Sequence, residues 1–200
     1  MTKQIITHSG FVVEFTQAYN NEKEIAGVKL LLNVDKDNVD YLNRECIVVG
    51  LPHNYSGDVK IGDTLIVHHN ITRISTRNDG SEFNQYHIRQ NLYRVPEDLV
   101  FLYRTNKNEE WKSYGDYIFV SPMVNKTEKK IGSILIPDSV QEKFVNNTGI
   151  VSIENLALNK IGVKKGDKIY FKNFSEHKYQ IDDQLLYKMN VDRVLGLLTE

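Results

Sequence analysis

Cysteine, proline, net charge and long apolar runs are all scarce in this sequence. Cys46 is the single cysteine, so no disulfide can form within the chain and no multi-cysteine metal site is possible. No apolar run approaches the roughly 20 residues that span a bilayer, and the N-terminus lacks the apolar core and cleavage site of a signal peptide. These absences predict a cytoplasmic protein with no membrane partner, in the host cytoplasm if the chain is viral.

The charge balance and the motifs exclude further classes. A net charge of −1 gives no electrostatic attraction to nucleic acid, so no nucleic-acid partner is expected. The run GVKKGDK at 162–168 lacks the spacing of a phosphate-binding loop, and no GxGxxG follows a strand. His68 and His69, if they are neighbours on a strand, would point to opposite faces, which is poor geometry for one metal ion. We therefore expect no enzyme, no cofactor and no metal site.

The sequence does contain a series of short apolar runs, rich in β-branched and aromatic residues and separated by turn signals such as Asn78-Asp79-Gly80. Such runs are typical of β-strands. Their close spacing, with few helix signatures, predicts an all-β fold of small barrels or sandwiches.

The series of strands occurs twice, since Val59–Val67 (VKIGDTLIV) is repeated as Val163–Phe171 (VKKGDKIYF). The matched pairs are 105 apart at Gly10/Gly115 and Gly27/Gly132, 104 apart at Gly62/Gly166 and Asp63/Asp167, and 94 apart at Tyr93/Tyr187 and Asp98/Asp192. This register predicts a first domain over 1–104 with a longer hairpin near 72–83, a linker over 105–113 and a second domain over 114–200.

Each half also holds a polar, charged stretch with a short aliphatic cluster, Asn21–Lys36 in the first and Lys126–Phe144 in the second. Pro137 has no N–H to give a sheet, so the second stretch is either an edge strand, with Ile134 and Ile136 facing inward, or a loop. Aliphatic side chains on a solvated loop are unfavourable unless a partner covers them. Their occurrence in both halves favours two loops that meet a receptor.

The second half resembles the GroES-type co-chaperonin family from about Asp116 to Leu198. The segments that carry the resemblance come in order: YIFVSP, IGSILIP, TGIVSI, VKKGDKIYF and LLYKMNVDRVLGLL. The first half departs more, and its loop reads AGVKLLLN. The resemblance implies two tandem GroES-like small β-barrels, each with a long mobile loop and a turn or roof hairpin.

The resemblance also implies a function. The chain would form a homo-oligomer that caps a large, ATP-driven GroEL-type chaperonin ring with bound nucleotide, and would assist the folding of unfolded client proteins inside the cage. Binding would use residues 18–36 (loop 1) and 125–144 (loop 2), both mobile without a partner. The implied binding residues are Gly132, Ser133, Ile134, Leu135 and Ile136 in loop 2, and Gly27, Val28, Leu30, Leu31 and Leu32 in loop 1.

The equivalence of the two loops stays open at this point. With the 105-residue spacing, Lys29 matches Ile134, whereas a shift of one residue makes Leu30-Leu31-Leu32 the counterpart of the aliphatic tripeptide. Rings of three, four or seven chains are all compatible with a two-domain chain. The alternative function is a structural, ring-forming β-protein, such as a viral assembly component, that binds no chaperonin.

Strand addition between neighbouring subunits, which the resemblance implies, leads to two further expectations. Leu99–Tyr103 would pair with Asp116–Val120 within one chain. Free strand edges would remain at Gly10–Phe15 and Arg193–Leu198.

Overall fold

The computed structural model describes residues 5–17, 22–25, 28–31, 44–124, 130–131, 134–135, 144–153, 155–172, 177–182 and 184–198. The chain divides into two compact units, Met1–Tyr114 and Gly115–Glu200. Regular structure in the described residues is almost entirely β, with one short α-helix. The predicted all-β fold class is therefore confirmed.

The first unit is built on an antiparallel sheet. Its strands are β1 (Ile5–Thr7), β2 (Phe11–Glu14), β3 (Glu22–Ile25), β4 (Val28–Leu31), β5 (Glu45–Pro52), β6 (Thr64–Val67), β7 (Ser75–Thr76), β8 (Glu82–Phe83), β9 (His87–Arg89), β10 (Leu92–Val95), β11 (Val100–Arg104) and β12 (Lys112–Ser113). The main sheet has the order β12-β11-β6-β5-β2-β10-β9, and β1 lies parallel beside β5. Hairpins β3–β4 and β7–β8 form two-stranded sheets of their own. Short 3-10 turns cover His69–Ile71 and Glu97–Leu99.

The second unit repeats this plan with fewer strands. They are β13 (Tyr117–Val124), β14 (Lys130–Ile131), β15 (Ile134–Leu135), β16 (Phe144–Val151), β17 (Lys168–Phe171), β18 (His177–Ile181), β19 (Gln184–Asn190) and β20 (Val194–Leu197). Helix α1 covers Leu156–Lys160, and a 3-10 turn covers Val191–Arg193. The main sheet has the order β18-β19-β13-β16-β17-β20.

Six strands follow the same spatial order in both units. Strands β11, β6, β5, β2, β10 and β9 of the first correspond in sequence to β20, β17, β16, β13, β19 and β18 of the second. The first unit adds β12 outside β11 and β1 beside β5. The two main sheets therefore share six strands in one order and differ chiefly in the additional strands β12 and β1 of the first.

The Val-x-x-Gly-Asp turn has the same hydrogen bonds in both units. In the first, the Val48 N–H donates to Asp63 O (2.9 Å) and the Lys60 N–H donates to Asp63 Oδ2 (2.9 Å). The second unit has the same two bonds, from Val151 to Asp167 (2.9 Å) and from Lys164 to Asp167 (2.8 Å). The intervening glycines, at 62 and 166, have φ of 96° and 93°, a conformation that side chains disfavour. The repeated sequence is thus a repeated local structure.

Strand pairing corrects one part of the register expected from the sequence. Val13 pairs with Tyr93 and Val48, and Val120 pairs with their counterparts Tyr187 and Val151. Val13 and Val120 are 107 residues apart. The match of Gly10 to Gly115 at 105 was therefore wrong. Gly10 directly precedes β2, whereas Gly115 lies two residues before β13, because the turns that lead into the two strands differ.

Each unit has its own apolar core, formed by alternate residues of these strands. Large buried side chains of the first core include Phe11, Phe15, Leu65 and Ile71, and those of the second core include Ile118, Leu158, Ile169, Phe171 and Met189. Burying side chains of this size contributes roughly 1.5–3 kcal/mol each. The cores hold the strand ends from which the loops depart.

Asn155 is a structural hub of the second unit, and we predict that Asn155→Ala destabilises it. The buried Asn155 Nδ2 donates to Gly115 O (3.1 Å) and Tyr117 O (2.8 Å), and Oδ1 accepts from Ala157 N and Leu158 N. Leaving these groups without partners should lower the free energy of unfolding by about 2–4 kcal/mol, measured by urea unfolding with circular dichroism. Lys160→Ala, on the exposed side of the same helix, should change it by less than about 0.5 kcal/mol. Equal effects would contradict the prediction.

Candidate functional site

Both loops depart from neighbouring strands of a main sheet. Loop 1 connects β2 to β5, which pair at Val13↔Val48 and Glu14↔Ile47. At its start, the buried Phe15 packs edge-on against Tyr93, with ring centroids 5.2 Å apart. Loop 2 connects β13 to β16, which pair out to Val124↔Phe144. Each loop is thus inserted between two strands whose pairing fixes the positions of its ends.

The described parts of both loops form short hairpins. In loop 1, β3 pairs with β4 from Glu22↔Leu31 to Ile25↔Val28. In loop 2, β14 pairs with β15 at Lys130↔Leu135 and Ile131↔Ile134. Among the described residues, neither hairpin joins a main sheet. The aliphatic clusters therefore belong to hairpins of their own and not to an edge of the barrel sheet.

The hairpin pairing gives a register that differs from both alternatives derived from the sequence. The innermost pairs, Ile25↔Val28 and Ile131↔Ile134, make Val28 the counterpart of Ile134 and Lys29 the counterpart of Leu135. This pairing favours neither the match of Lys29 to Ile134 nor the shift that aligns Leu30-Leu31-Leu32, and the equivalence of the two loops stays a prediction. Lys29 thus stands between Val28 and Leu30 in β4.

Five of the ten predicted loop residues belong to described strands. Val28, Leu30, Leu31, Ile134 and Leu135 have positions in β4 and β15. The other five lie outside the described residues: Gly27, Leu32, Gly132, Ser133 and Ile136.

The last strands of the two units, β11 and β20, differ in how much apolar surface they expose. Val67↔Val100 and Leu65↔Tyr103 in the first unit match Phe171↔Val194 and Ile169↔Leu197 in the second. Phe101 therefore corresponds to Leu195, and Tyr103 corresponds to Leu197. Phe101 and Tyr103 are 1% and 9% exposed, whereas Leu195 and Leu197 are 63% and 42% exposed. Strand β20 thus shows apolar surface that is covered at the same positions of β11.

Residues 111–114 cover β11, and the first three of them belong to the predicted linker, 105–113. Lys112 and Ser113 pair with Tyr103 and Leu102, and the Tyr114 N–H donates to Phe101 O (2.8 Å). The buried Trp111 ring lies 3.9 Å from the Arg104 guanidinium carbon, a cation–π geometry. The described chain places no strand in the corresponding position beside β20.

Two expectations about strand edges were wrong, and one agrees with the structure. Strand β2 is not free, because it lies between β5 and β10, where pairing on both sides buries Phe11, Val12 and Val13. Leu99–Tyr103 does not pair with Asp116–Val120, since β13 pairs with β16 and β19. The edge expected at Arg193–Leu198 is observed as β20, which is terminal in its sheet among the described strands.

His68 and His69 are not strand neighbours, because β6 ends at Val67 and a 3-10 turn follows. His68 Nδ1 accepts from the Asn70 N–H (3.1 Å), and the two imidazole centroids lie 4.1 Å apart. The expectation of opposite faces was therefore wrong. Within the described ranges, no group of three or more His, Cys, Asp or Glu residues is placed to hold a metal ion. No described helix is long and apolar enough to cross a membrane.

Comparisons with known proteins relate part of this chain to one family. The family model of the chaperonin 10 Kd subunit matches residues 110–198. The co-chaperonin GroES of Rickettsia typhi is 32% identical over 94 residues, which are 44% of this chain and 97% of the relative. That of Caulobacter sp. is 33% identical over 95 residues (44% and 97%), and that of Campylobacter curvus is 29% identical over 75 residues (38% and 83%).

The family model and these relatives point to the co-chaperonin class of protein. The chain belongs to the GroES, or chaperonin 10 kDa, family. The family model begins at residue 110, so it includes Trp111, Lys112 and Ser113, which lie against β11. The segment that covers the first unit's last strand is therefore aligned with the beginning of the family's own module.

The tyrosines near this covering segment predict a loss of stability in alkali. Burial, and then the hydrogen bond from Tyr114 Oη to Glu97 Oε2 (2.8 Å), raise the pKa of Tyr114 well above its usual 10.0. Burial and Asp58 raise the pKa of Tyr103. A tyrosine whose pKa is higher in the folded than in the unfolded protein contributes its full stabilisation at pH values below the unfolded-state pKa. That contribution to the free energy of unfolding is lost as the pH rises through the folded-state pKa. The free energy of unfolding should therefore be steady up to about pH 10 and fall above it.

Urea unfolding at successive pH values measures this loss, with the fluorescence of Trp111, the single tryptophan, as the signal. Tyr114→Phe cannot ionise at that position, so its stability should fall less steeply with pH than that of the wild type. Parallel curves for the two proteins would show that Tyr114 does not carry the effect.

Proposed function

We propose that this chain is a co-chaperonin that caps a GroEL-type chaperonin ring through loops 1 and 2. The observation that supports the proposal is the pair of aliphatic hairpins, each inserted between neighbouring strands of a GroES-family barrel plan. Its role is binding and not catalysis, with nucleotide held by the large ring and unfolded clients enclosed beneath the cap. The two sheets with six strands in one order support two tandem modules in one chain.

Loops of this size should bind a chaperonin ring tightly only when many of them are presented together. Three buried Ile or Leu side chains contribute perhaps ~5–9 kcal/mol. Fixing the backbone costs about 1–2 kcal/mol per residue, so ordering one loop nearly cancels the gain. Loops presented together on an oligomer bind with a high effective concentration after the first has docked. Weak single contacts also suit a cap that must dissociate.

The register of loop 1 supports a binding role for it as well. Val28 and Leu30 stand at the same distances in sequence from the turn of their hairpin as Ile134 and Ile136 do, and Lys29 stands between them. We take this shared aliphatic spacing as the feature that a receptor groove recognises in either loop. On this basis we assign loop 1 the same kind of receptor as loop 2.

We predict that Ile134→Asp or Leu135→Asp abolishes chaperonin binding while the fold and the oligomer persist. Each change places a carboxylate where an apolar contact forms, and the loss is repeated in every chain. Retention on an immobilised GroEL-type ring with nucleotide should fall about 100-fold or more. Ile88→Asp, at an exposed strand position in the first unit, is the matched control and should bind normally.

Two results would contradict the proposal. Unfolding of the second unit by Ile134→Asp or Leu135→Asp would place those side chains in a core. Failure of the wild-type chain to bind the ring, with or without nucleotide, would leave the structural ring-forming protein as the better function.

The covered and uncovered last strands suggest how chains assemble. An exposed strand edge with apolar side chains is a site for addition of another strand. Strand β1 precedes β2 along the chain as β12 precedes β13. We infer that β1 of a second copy covers β20 as β12 covers β11, in the register that places Ile6 opposite Gly196 and Ile5 opposite Leu197. Such head-to-tail contacts close into a ring or extend as a filament, and a ring would hold an even number of modules.

Disulfide trapping tests this register. In a Cys46→Ala background, we expect a mixture of the single variants Ile5→Cys and Leu197→Cys to give one covalent dimer on oxidation, detected by non-reducing electrophoresis. The double variant should give a ladder of higher species. Neither single variant alone should cross-link. A dimer from Leu197→Cys alone would show that two β20 strands pair with each other, which contradicts head-to-tail assembly.

A further inference from the structure

The connection between β6 and β10 of the first unit forms a small cavity that opens to solvent. Val67 and Tyr93 are 26 residues apart, whereas their strand counterparts Phe171 and Tyr187 are 16 apart. The cavity has a volume of about 210 Å³. Its lining residues come from the 3-10 turn, from hairpin β7–β8 and from the segments beside them: Asn70, Arg73, Ser75, Phe83, Asn84 and Gln85.

Asn84 fixes the shape of this cavity. Its Nδ2 donates to Ile71 O (2.8 Å) and to Arg73 O (3.0 Å). Its Oδ1 accepts from the Tyr86 N–H (2.7 Å) and the His87 N–H (3.1 Å). A carboxamide has two N–H donors and an oxygen with two lone pairs, so these four bonds use its full capacity. Asn84 therefore supports the wall and has no bond left to offer a ligand.

Four other polar side chains of the lining can bind a ligand. Within the described part of the chain, no hydrogen bond or ion pair joins the side chains of Asn70, Arg73, Ser75 or Gln85 to another residue. Arg73 has a guanidinium fork of N–H donors, and Ser75 has a hydroxyl. The two carboxamides both donate and accept, as the N–H and C=O of a peptide do.

Hairpin β7–β8 directs its glutamate away from the cavity. Ser75 pairs with Phe83, and both line the cavity, whereas the next pair, Thr76 and Glu82, does not line it. Neighbouring residues of a strand point to opposite faces, so the Glu82 carboxylate lies on the other side of the hairpin. Among the described residues that line the cavity, Arg73 is the only charged one.

The two other charged groups of this hairpin have contacts of their own. The Arg77 guanidinium carbon lies 4.6 Å from the centroid of the Phe83 ring, a cation–π geometry. Asp79 Oδ1 accepts from the Ser81 N–H (2.9 Å) and from Ser81 Oγ (2.7 Å). The charge that the cavity presents is therefore the single positive charge of Arg73.

We propose that this cavity binds an aspartate or glutamate side chain of a partner polypeptide. The fork of Arg73 holds the carboxylate with two parallel N–H···O bonds, and Ser75 adds a hydroxyl donor. Asn70 and Gln85 bind the neighbouring peptide groups, and the methylene groups of the acidic side chain pack on Phe83.

The size and charge of the cavity favour this ligand over a nucleotide or a phosphate. Its volume lies below the roughly 300–1,000 Å³ of sites that enclose drug-sized molecules, so it suits one side chain. A single guanidinium balances one carboxylate, whereas a phosphate monoester carries a charge of about −1.5 to −2 at neutral pH.

Saturation-transfer NMR with the full chain and no chaperonin tests the site. The probe is the capped peptide acetyl-Gly-Asp-Gly-amide, and acetyl-Gly-Asn-Gly-amide is its uncharged match. The aspartate peptide should saturate at a concentration at least about tenfold lower than the asparagine peptide. Arg73→Gln should remove that difference. Arg89→Gln, at an exposed position of β9 outside the cavity, is the control and should preserve it.

Four results would overturn the proposal. Equal saturation by the two peptides would show that no carboxylate is recognised, and unchanged binding to Arg73→Gln would place the peptide elsewhere. Inorganic phosphate that displaces the peptide at lower concentrations than the peptide itself needs would make the cavity a general anion site. Acetate as effective as the peptide would show that the peptide groups are not bound. Chaperonin capture by loops 1 and 2 has no part in this test, so the two proposals fail separately.

Discussion

The outer edge of each unit's last strand is the constraint on which the rest of this molecule depends. A strand edge carries backbone N–H and C=O groups and, here, alternate apolar side chains that need cover. The chain supplies that cover once, where Trp111 and Tyr114 flank β12 on β11. The corresponding surface of β20 is exposed. Among the described residues, the two last strands therefore differ in whether a further strand covers their outer edge.

The need to cover the edge of β20 also connects the loops with assembly in the proposed function. A single aliphatic hairpin gains little net free energy on docking, because ordering its backbone offsets most of the apolar burial. Loops become effective when an oligomer presents them at once. The barrel cores fix the loop ends, and the open edge of β20 provides a way to join chains. On the proposed function, binding strength would be set by assembly as much as by the loop sequence.

Much of the fold was accessible from the sequence, because local patterns carried it. The repeated Val-x-x-Gly-Asp segment predicted two equivalent turns, and both form with the same aspartate and glycine geometry. The loop stretches could be recognised by their charge and aliphatic clusters. The residue-by-residue alignment of the two halves could not be determined from the sequence, since short apolar runs fit several alignments. Only cross-strand partners, such as Val13 with Tyr93, show that the first strands are offset by 107 and the hairpins by 106.

The sequence by itself determined the all-β class, the doubled strand series and the membership of a family whose motifs occur in order, because turn residues and alternating apolar residues act over short distances. The tertiary structure decided which strands become edges. Residues 105–113 have the sequence of a polar linker. Their last two residues nevertheless form strand β12, because β11 is adjacent in space. Likewise, nothing local distinguishes Ile5–Thr7 from any short apolar strand. Its place beside β5 depends on a partner more than forty residues away, and such pairing is fixed only when the whole sheet forms.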